Sequence, residues 1–528
     1  MSHALLGLGE TITSLDVAVI DANSEALGVP RLVLMENAGR AVAEIVAQRA
    51  RPGARVAVYA GTGGNGGDGL AAARHLAAKG FRVKVVLASK PEQLRSSEAR
   101  IMYRALEAMD YTVDVEVARS VCSFEPPEAD VVIDALLGVG LHGAPRSPYA
   151  ELINAINRSQ AGLKVAVDVP SGIDADTGES PGVHVVADIT VTLHKPKPGV
   201  LRRRDASGEI VVAPIGAPPE AEIYVGPGDV AHRLRRRRWD TRKGRGGRVL
   251  VVAGSRWYVG AALLAARAAE AAGVDLVYLA STRNVIEAAM ASAPTLIPVV
   301  LEGDHLAPEH VEQLRSLAER ADAIAAGMGL GLAEETREAV RRLLDLARGL
   351  GKPLVLDADG LKHLAAIGPD ALGGVKAVLT PHDAEFEKLF GKKPSPVTCI
   401  AQRVMDAVEA STAARGAVVL LKGPVDVIAG PGRARLNKTG APAMSVGGTG
   451  DVLAGLVAGI AARGLEPFHA AAVAAYVNGA AGALAYREKA ESMNALDVLN
   501  RVPRVLAEPE RYAGDAVIYR RLPLRSTC

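Results

Sequence analysis

Two α/β domains in series, each a mainly parallel sheet covered by helices, are what this 528-residue sequence predicts. Three observations carry the prediction. The length exceeds what one ordinary core encloses. Short β-prone runs alternate with helical patterns up to residue 213, and the alternation restarts at residue 248. Between them, Pro214–Arg245 opens with prolines and glycines (APIGAPP, GPGD) and turns basic at Arg235–Arg238, as an interdomain connection would. The expected domains are 1–220 and 221–510.

Composition bounds the function class. Hydrophobic residues at 49% and charged residues at 23% give an ordinary globular balance, so disorder is not expected. Aromatics at 3% are scarce, which predicts cores of closely packed Ala, Val, Leu and Gly. A net charge of +2 gives no whole-chain reason to expect nucleic acid or an acidic membrane surface. Arg235–Arg238 reads better as a solvated or domain-packing run. Cys122, Cys399 and Cys528 are far apart and fit neither metal spacing nor a disulfide framework. The N-terminus lacks a basic, apolar leader, and apolar runs such as Leu354–Leu356 are too short to span a bilayer. A cytoplasmic protein is expected.

Residues 13–50 carry a helical pattern that Pro30 splits into two helices. Strand Arg55–Ala60 feeds the loop GTGGNGGDG (Gly61–Gly69) and a helix Leu70–Lys79. Strands follow at Arg82–Leu87, Val113–Val117, Val131–Asp134, Lys164–Val169, Ile189–Leu193 and Glu209–Ala213. In the second half the expected strands are Val249–Ala253, Leu276–Ala280, Ala323–Ala326, Pro353–Asp357, Ala377–Thr380, Val418–Lys422 and Asp426–Ala429. Helices are expected at Ala261–Ala272, from Val452 to Arg463, and at Ala470–Glu488. No repeat of 20–50 residues appears.

In such sheets ligands bind at the carboxyl ends of the strands. GTGGNGGDG is denser in glycine than a turn requires, and lets main-chain amides approach a phosphate. It has neither the Lys-Ser/Thr of a Walker loop nor dinucleotide-fingerprint spacing. Asp134 in VIDALLGVGLHGAP, Asp168 and Ser171 in VAVDVPSGIDADTG, and Lys195 and Lys197 in VTLHKPKPG end other strands. Singly, each has a structural explanation: a cap, a turn residue, surface charge. Together they converge on one sheet edge. Oxygens of the Asn65, Asp134 and Ser171 kind suit a hard cation rather than zinc.

These four motifs, in order over residues 10–215, resemble the epimerase domain of the NAD(P)H-hydrate repair enzymes. The resemblance implies a Rossmann-like three-layer fold and interconversion of (R)- and (S)-NAD(P)HX. It places the dinucleotide on Gly64, Asn65, Gly66, Gly67 and Asp68, on Gly138, Val139, Gly140, Leu141, His142, Gly143 and Ala144, and on Tyr149 and Asp168. It gives K+ to Asn65, Asp134 and Ser171, and the acid–base role to Asp168, with Lys197 second. Gly64 stands where that family has Asn, and His194-Lys195 where it has small residues.

In the second half, SVGGTGD (Ser445–Asp451) runs into an Ala- and Leu-rich helix. A glycine loop at a helix N-terminus suits phosphate, and a carboxylate there suits proton removal from an attacking hydroxyl. The bland reading makes Asp451 an N-cap. Asp357 and Asp359 follow PLVL, His382 follows Thr-Pro, and Lys422-Gly423-Pro424-Val425-Asp426 ends one strand and opens the next. Each again has a bland reading: a helix-turn histidine, a solvated lysine, a capping aspartate.

Their order resembles the ribokinase-like superfamily. GSRWYVGAA, LDADGL, LTPHDAEF and KGPVDVI, over residues 235–505, resemble its ADP-dependent NAD(P)H-hydrate dehydratases. That implies Asp451 as base on the C6 hydroxyl, and Ala262, Gly329 and His382 on the hydrate. ADP, with Mg2+, would lie on Lys422, Gly423, Pro424, Val425, Asp426 and Gly450. Asp383-Ala384-Glu385 departs from that family's Pro-Gly-Glu. NADHX, NADPHX and ADP are the expected partners, with no nucleic acid or membrane, in a homo-oligomer. A pyridoxal- or hydroxymethylpyrimidine-type kinase, and a scaffold-like first domain, are the other readings.

Overall fold

The computed structural model describes residues 5–118, 124–240, 242 and 244–514. These form two compact units: Leu8–Pro218, and Pro219 onward together with the residues before Leu8. Cys122 and Cys528 lie outside the described residues. Cys399 is disulfide-bonded, which corrects the expectation of unpaired thiols.

The first unit holds seven parallel strands: β1 (Arg55–Ala60), β2 (Arg82–Leu87), β3 (Val113–Val117), β4 (Val131–Ala135), β5 (Leu163–Val167), β6 (Ile189–Leu193) and β7 (Glu209–Ala213). Their order is β3-β2-β1-β4-β5-β6-β7. Helices α1 (Ser14–Ala26), α2 (Arg31–Arg49), α3 (Gly64–Ala78), α4 (Ser97–Glu107) and α5 (Tyr149–Arg158) accompany it. Alternation along β1 shows why both faces are covered. Val56, Val58 and Ala60 join a core with Leu34, Val42 and Leu70 of α2 and α3. Ala57 and Tyr59 join another with Leu152 and Ile156 of α5. The inner strands are largely buried on both faces and read as mainly apolar runs, whereas the edge strands β3 and β7 keep exposed positions and show in the sequence by their valines and isoleucine. The glycines of GTGGNGGDG were not read as helix, yet α3 begins at Gly64, inside them.

The second unit is a nine-stranded sheet in the order β10-β9-β8-β11-β12-β13-β14-β15-β16. Its strands are β8 (Arg248–Val252), β9 (Leu276–Thr282), β10 (Ile297–Leu301), β11 (Ala323–Ala326), β12 (Leu354–Leu356), β13 (Ala377–Leu379), β14 (Val418–Leu421), β15 (Asp426–Gly430) and β16 (Arg433–Asn437). β15 and β16 run antiparallel to their neighbours, and the other strands are parallel. Helices Gly260–Ala271, Thr449–Ala462 and Pro467–Lys489 share one alanine-rich core with the sheet, where small side chains do the packing that aromatics do elsewhere. Pro467–Ser492 is long and apolar enough to cross a membrane, against the expectation that no run would be; it is buried as a core helix.

Pro214–Arg245 is no loose connection over most of its length. Asp229, buried on every side, receives the Arg435 guanidinium at both carboxylate oxygens and Arg233 at 3.1 Å. The two cations hold its carboxyl far below the usual range despite burial. The basic run packs on its own unit: Arg237 pairs with Asp275 at 2.7 Å and donates to the Gly273 carbonyl at 2.8 Å. The edge strand β16 is paired as well. Gly7 N–H donates to the Ala434 carbonyl at 3.2 Å, Ala434 N–H to Leu5 at 2.7 Å, and Val225 N–H to Leu436 at 2.9 Å.

Candidate active sites

In the first unit, strand order reverses around β1, between β2 and β4, and a cavity of about 450 Å3 opens at the carboxyl ends there. Gly63, which has no side chain to cap α3, leaves the first amides of that helix unpaired at the cavity wall. A helix N-terminus of this kind suits an anionic phosphate. Gly66, Gly67 and Gly69 inside α3 are a packing requirement. A Cβ on Gly66 would lie 2.0 Å from the Gly61 carbonyl oxygen, so no side chain fits, although glycine costs a helix about 1 kcal/mol.

Gly64, Asn65, Asp68, Gly138, Val139, Gly140, Leu141, Tyr149, Asp168 and Lys197 all line this cavity. Gly66 and Gly67 lie buried behind it, and His142, Gly143 and Ala144 continue along an exposed stretch of the loop. The Tyr149 and Thr62 hydroxyls are hydrogen-bonded at 3.1 Å.

Asp168 follows β5 with φ 64, a left-handed conformation that Asp tolerates better than most residues. Its Oδ1 accepts from Leu193 N–H at 2.9 Å and from the Lys197 ammonium, which also donates to the Leu193 carbonyl at 2.8 Å. Lys197 is 1% exposed and Asp168 is 6% exposed, so this is a buried ion pair rather than surface charge. Around it stand two more carboxyls. Burial, Asp168 and Asp21 push the Asp68 carboxyl well above its usual range. Burial pushes Asp21, from α1, up to about 6 against the pull of Arg31. Sequence reasoning missed Asp21. The signal was its place on the apolar face of α1, four residues after Val17.

Asp134, Ser171 and Asn65 are brought together, though not as a free ligand set. Ser171 donates from its hydroxyl to Asp134 Oδ1 at 2.6 Å and from its amide to Oδ2 at 2.7 Å. Asn65 Nδ2 donates to the Leu137 carbonyl at 3.1 Å, while its Oδ1 is buried without a hydrogen-bond partner. Burial drives the Asp134 carboxyl up to about 6. An orphaned amide oxygen, a buried carboxyl and a hydroxyl form an oxygen-only set that fits a large hard cation.

In the second unit, the helix Thr449–Ala462 begins at Gly448, which has φ 95 and no capping side chain. Asp451 sits in the first turn and is not the cap, so the bland reading fails. Behind it, Asp357 directly follows β12 and Lys422 directly follows β14, and the Lys422 Nζ donates to Asp357 Oδ1 at 3.0 Å and lies 3.9 Å from Glu385. A Cβ on Gly450 would come within 3.3 Å of Lys422 Nζ and 3.6 Å of Asp357 Oδ2. The helix backbone therefore passes directly over this pair. Burial acts to lower the Lys422 pKa, but Asp357 and Glu385 outweigh it and the direction is upward. Burial, followed by Asp357, pushes Asp451 up to about 7, with Lys422 opposing.

Asp426 closes the Gly423–Asp426 turn. Its Oδ1 accepts from Gly423 N–H at 3.0 Å, its Oδ2 from Asn437 at 2.9 Å, and burial raises it to about 6. Gly423 and Pro424 are exposed at the turn, and Val425 is buried beneath it. The His382 ring Nδ1 accepts from Ala384 and Glu385 amides at 3.2 and 3.4 Å, capping helix Asp383–Phe390, and its side chain is half exposed. Asp383, the departure from the expected Pro-Gly-Glu, has a partner here: Arg403, 1% exposed, donates to it at 2.7 Å and to the Lys422 carbonyl at 3.0 Å. Gly329 has φ 69 and lies against Tyr258, whereas Ala262 is fully buried beneath Gly254.

A family model described as YjeF-related protein N-terminus matches residues 31–199, and one described as NAD(P)H-hydrate dehydratase matches 249–504. A bifunctional NAD(P)H-hydrate repair enzyme of Hyperthermus butylicus is 57% identical over 525 residues, covering 99% of this chain and 97% of the relative. A protein of the same name from Pyrobaculum aerophilum is 47% identical, covering 96% and 100%. A crystal structure of the ADP/ATP-dependent NAD(P)H-hydrate dehydratase of Bacillus subtilis with ATP and Mg2+ is 28% identical, with a TM-score of 0.45, and covers 55% of this chain and 98% of that one.

Proposed function

The chain belongs to the bifunctional NAD(P)H-hydrate repair enzymes, and from that membership we propose how its residues divide the two reactions. The first unit interconverts (R)- and (S)-NAD(P)HX, with Asp168 moving a proton at C6. The second dehydrates the S form at the expense of ADP. The observation that carries this division is the pair of carboxylates at two strand-end sites, Asp168 with Lys197 and Asp451 above Lys422 and Asp357.

In the second site, Asp451 removes the proton from the C6 hydroxyl as that oxygen attacks the terminal phosphate of ADP, and AMP leaves. Amides of Gly448, Thr449 and Gly450 hold the transferring group, where the helix dipole favours negative charge. Phosphate then leaves C6 as C5 gives up a proton, and the dihydronicotinamide is restored. The Gly423–Asp426 turn holds the nucleotide, and Gly329 and His382 hold the hydrate. Mg2+ supplies charge neutralisation on the ADP phosphates.

For the first site, Asn65 Oδ1, Asp134 and Ser171 are the groups that would hold K+, which would supply fixed positive charge to the site. Incubation of the protein with mixed R and S hydrates and ADP tests the division. Full return of dihydronicotinamide absorbance is expected. Arrest at the S fraction would remove the epimerase assignment, and no recovery would remove the dehydratase.

K+ is expected to raise the melting temperature of the first unit. At a hundredfold excess over Kd the gain is about 2.7 kcal/mol, or several degrees. The pH dependence has a definite sign. Asp134 is raised from 3.8 to about 6 in the fold, so the native state binds more protons across that window and stability falls as pH rises through it. The K+ shift should therefore be larger at pH 8 than at pH 5. Equal shifts with K+ and with a bulky ammonium ion would argue against a site here.

A further inference from the structure

The first cavity holds a carboxyl for which the division above has no use. Asp21 comes from α1, in the helical wall, whereas Asp168 and Lys197 come from the strand ends. Asp168 Oδ1 is already engaged by Lys197 and by Leu193 N–H. Among the described residues nothing donates a hydrogen bond to the Asp21 carboxyl, and Val17, Ile20 and Leu34 line the cavity beside it. The charged and titratable groups that share the cavity with it are Arg31 from α2, Asp68 from α3, Arg95 and Glu98 at the start of α4, Tyr149 from α5, and Asp168, His194 and Lys197 from the strand ends. Three carboxyls around one buried lysine cannot all carry charge without large repulsion, so the set retains a proton. Burial holds the proton on the two carboxyls that no ammonium engages, Asp68 and Asp21, and of these Asp21 stands free of hydrogen-bond donors on the apolar helical wall of the cavity.

We infer that Asp21 is a second proton-carrying residue of the epimerase site, the acid that works opposite the base Asp168. Epimerisation must break and remake the C6–O bond on opposite faces of the ring. Asp21 gives its proton to the C6 hydroxyl. The C6–O electron pair leaves with the water formed, and the N1 lone pair makes the C6=N1 bond. Water adds to the other face as the C6=N1 pair returns to N1, and Asp168 takes the proton that the new hydroxyl sheds. The count closes when that proton passes back to Asp21, for which Asp68, electrostatically coupled to both, is placed.

This rests on the assignment of the first unit as epimerase and of Asp168 as its base, so the test separates the three. Conversion of the R to the S hydrate is followed chromatographically without ADP in the full chain, and dehydration of the S form with ADP is followed in parallel. Asp21→Asn should slow epimerisation on the order of 10²- to 10³-fold, the range of general acid catalysis. KM should change little, dehydration should be unaffected, and the alkaline limb of the pH profile should be lost. Asp21→Glu should restore part of the rate with a displaced limb. An Asn variant that keeps the alkaline limb, or whose loss resides in KM, would overturn the inference. Should the Asn variant lose dehydration too, the Glu variant decides: folded, yet with neither activity gain nor displaced limb, it overturns the inference. Failure of the wild type to interconvert the epimers, or full activity of Asp168→Asn, would sink the underlying assignments instead.

Discussion

Asp451→Asn is expected to reduce ADP-dependent dehydration on the order of 10³-fold or more while leaving R-to-S interconversion at its wild-type rate. The geometry makes the substitution clean. Asp451 is not the cap of its helix, since Gly448 holds that position, so Asn changes a charge and not a fold. A base with its pKa near 7 also predicts the wild-type profile. Dehydration should fall about tenfold per unit below pH 7 and be flat above it. Stability should move the opposite way. The folded carboxyl sits near 7 against 3.8 in the unfolded chain, so the native state binds more protons between those values. Stability therefore declines as pH rises through that window, and the whole cost of the charge remains above pH 7. Asn removes it, and the inactive variant should melt higher at pH 8 than the wild type, with the difference vanishing near pH 4. Calorimetry at the two pH values checks this; a lower melting point at pH 8 would contradict the placement of Asp451 among Asp357, Asp359 and Glu385.

Asp168→Asn has the second large effect, and it carries two consequences that can be told apart. Epimerisation should be lost on the order of 10²- to 10⁴-fold, since the base is gone. Asn tolerates the left-handed backbone nearly as well as Asp, so φ 64 adds little strain. The second consequence concerns Lys197. At 1% exposure it would lose its ion-pair partner and keep only the Leu193 carbonyl as acceptor, and breaking a buried pair from one side costs about 3–5 kcal/mol. The double variant Asp168→Asn/Lys197→Met removes both charges. It should recover most of the melting temperature and none of the activity. Recovery of both would mean that Asp168 acts only by holding Lys197.

Much of this was visible in the chain because strand ends in doubly covered sheets announce themselves. A run such as VVLL followed by Lys422, or VAV followed by Asp168, passes from apolar to charged in one step, and that step is where a parallel sheet places its ligand. Where the apolar signal failed, the reasons are physical. β10 is an edge strand with Pro298 inside it and partly exposed positions along it, a pattern that reads as loop. β16 alternates Arg433, Arg435 and Asn437. Arg435 and Asn437 are inside, at 0% and 1% exposure, because Asp229 and Asp426 satisfy them. A buried residue whose partner lies two hundred positions away has no local signature. The start of α3 was hidden for the opposite reason, since packing against Gly61 demanded the glycines that propensity counts against a helix. Asp21 escaped because a lone acid on an amphipathic helix gains meaning only from the cavity it faces.

The pairing along β16 makes the second unit a host and the first a guest. Leu5 and Gly7 bond Ala434, and Val225 bonds Leu436, so the chain leaves and re-enters the host at neighbouring rungs of one strand. Two residues of strand span about 7 Å, a distance that residues 219–224, which stay with the host, can bridge. Deleting the guest and splicing Gly7 to Pro219 through a few glycines would keep β16 covered. A fragment cut simply at Pro219 would strip the outer rung at Ala434 and leave an open sheet edge, the kind of surface through which proteins aggregate. The dehydratase unit is thus better isolated by excising what lies inside it than by truncating from the N-terminus.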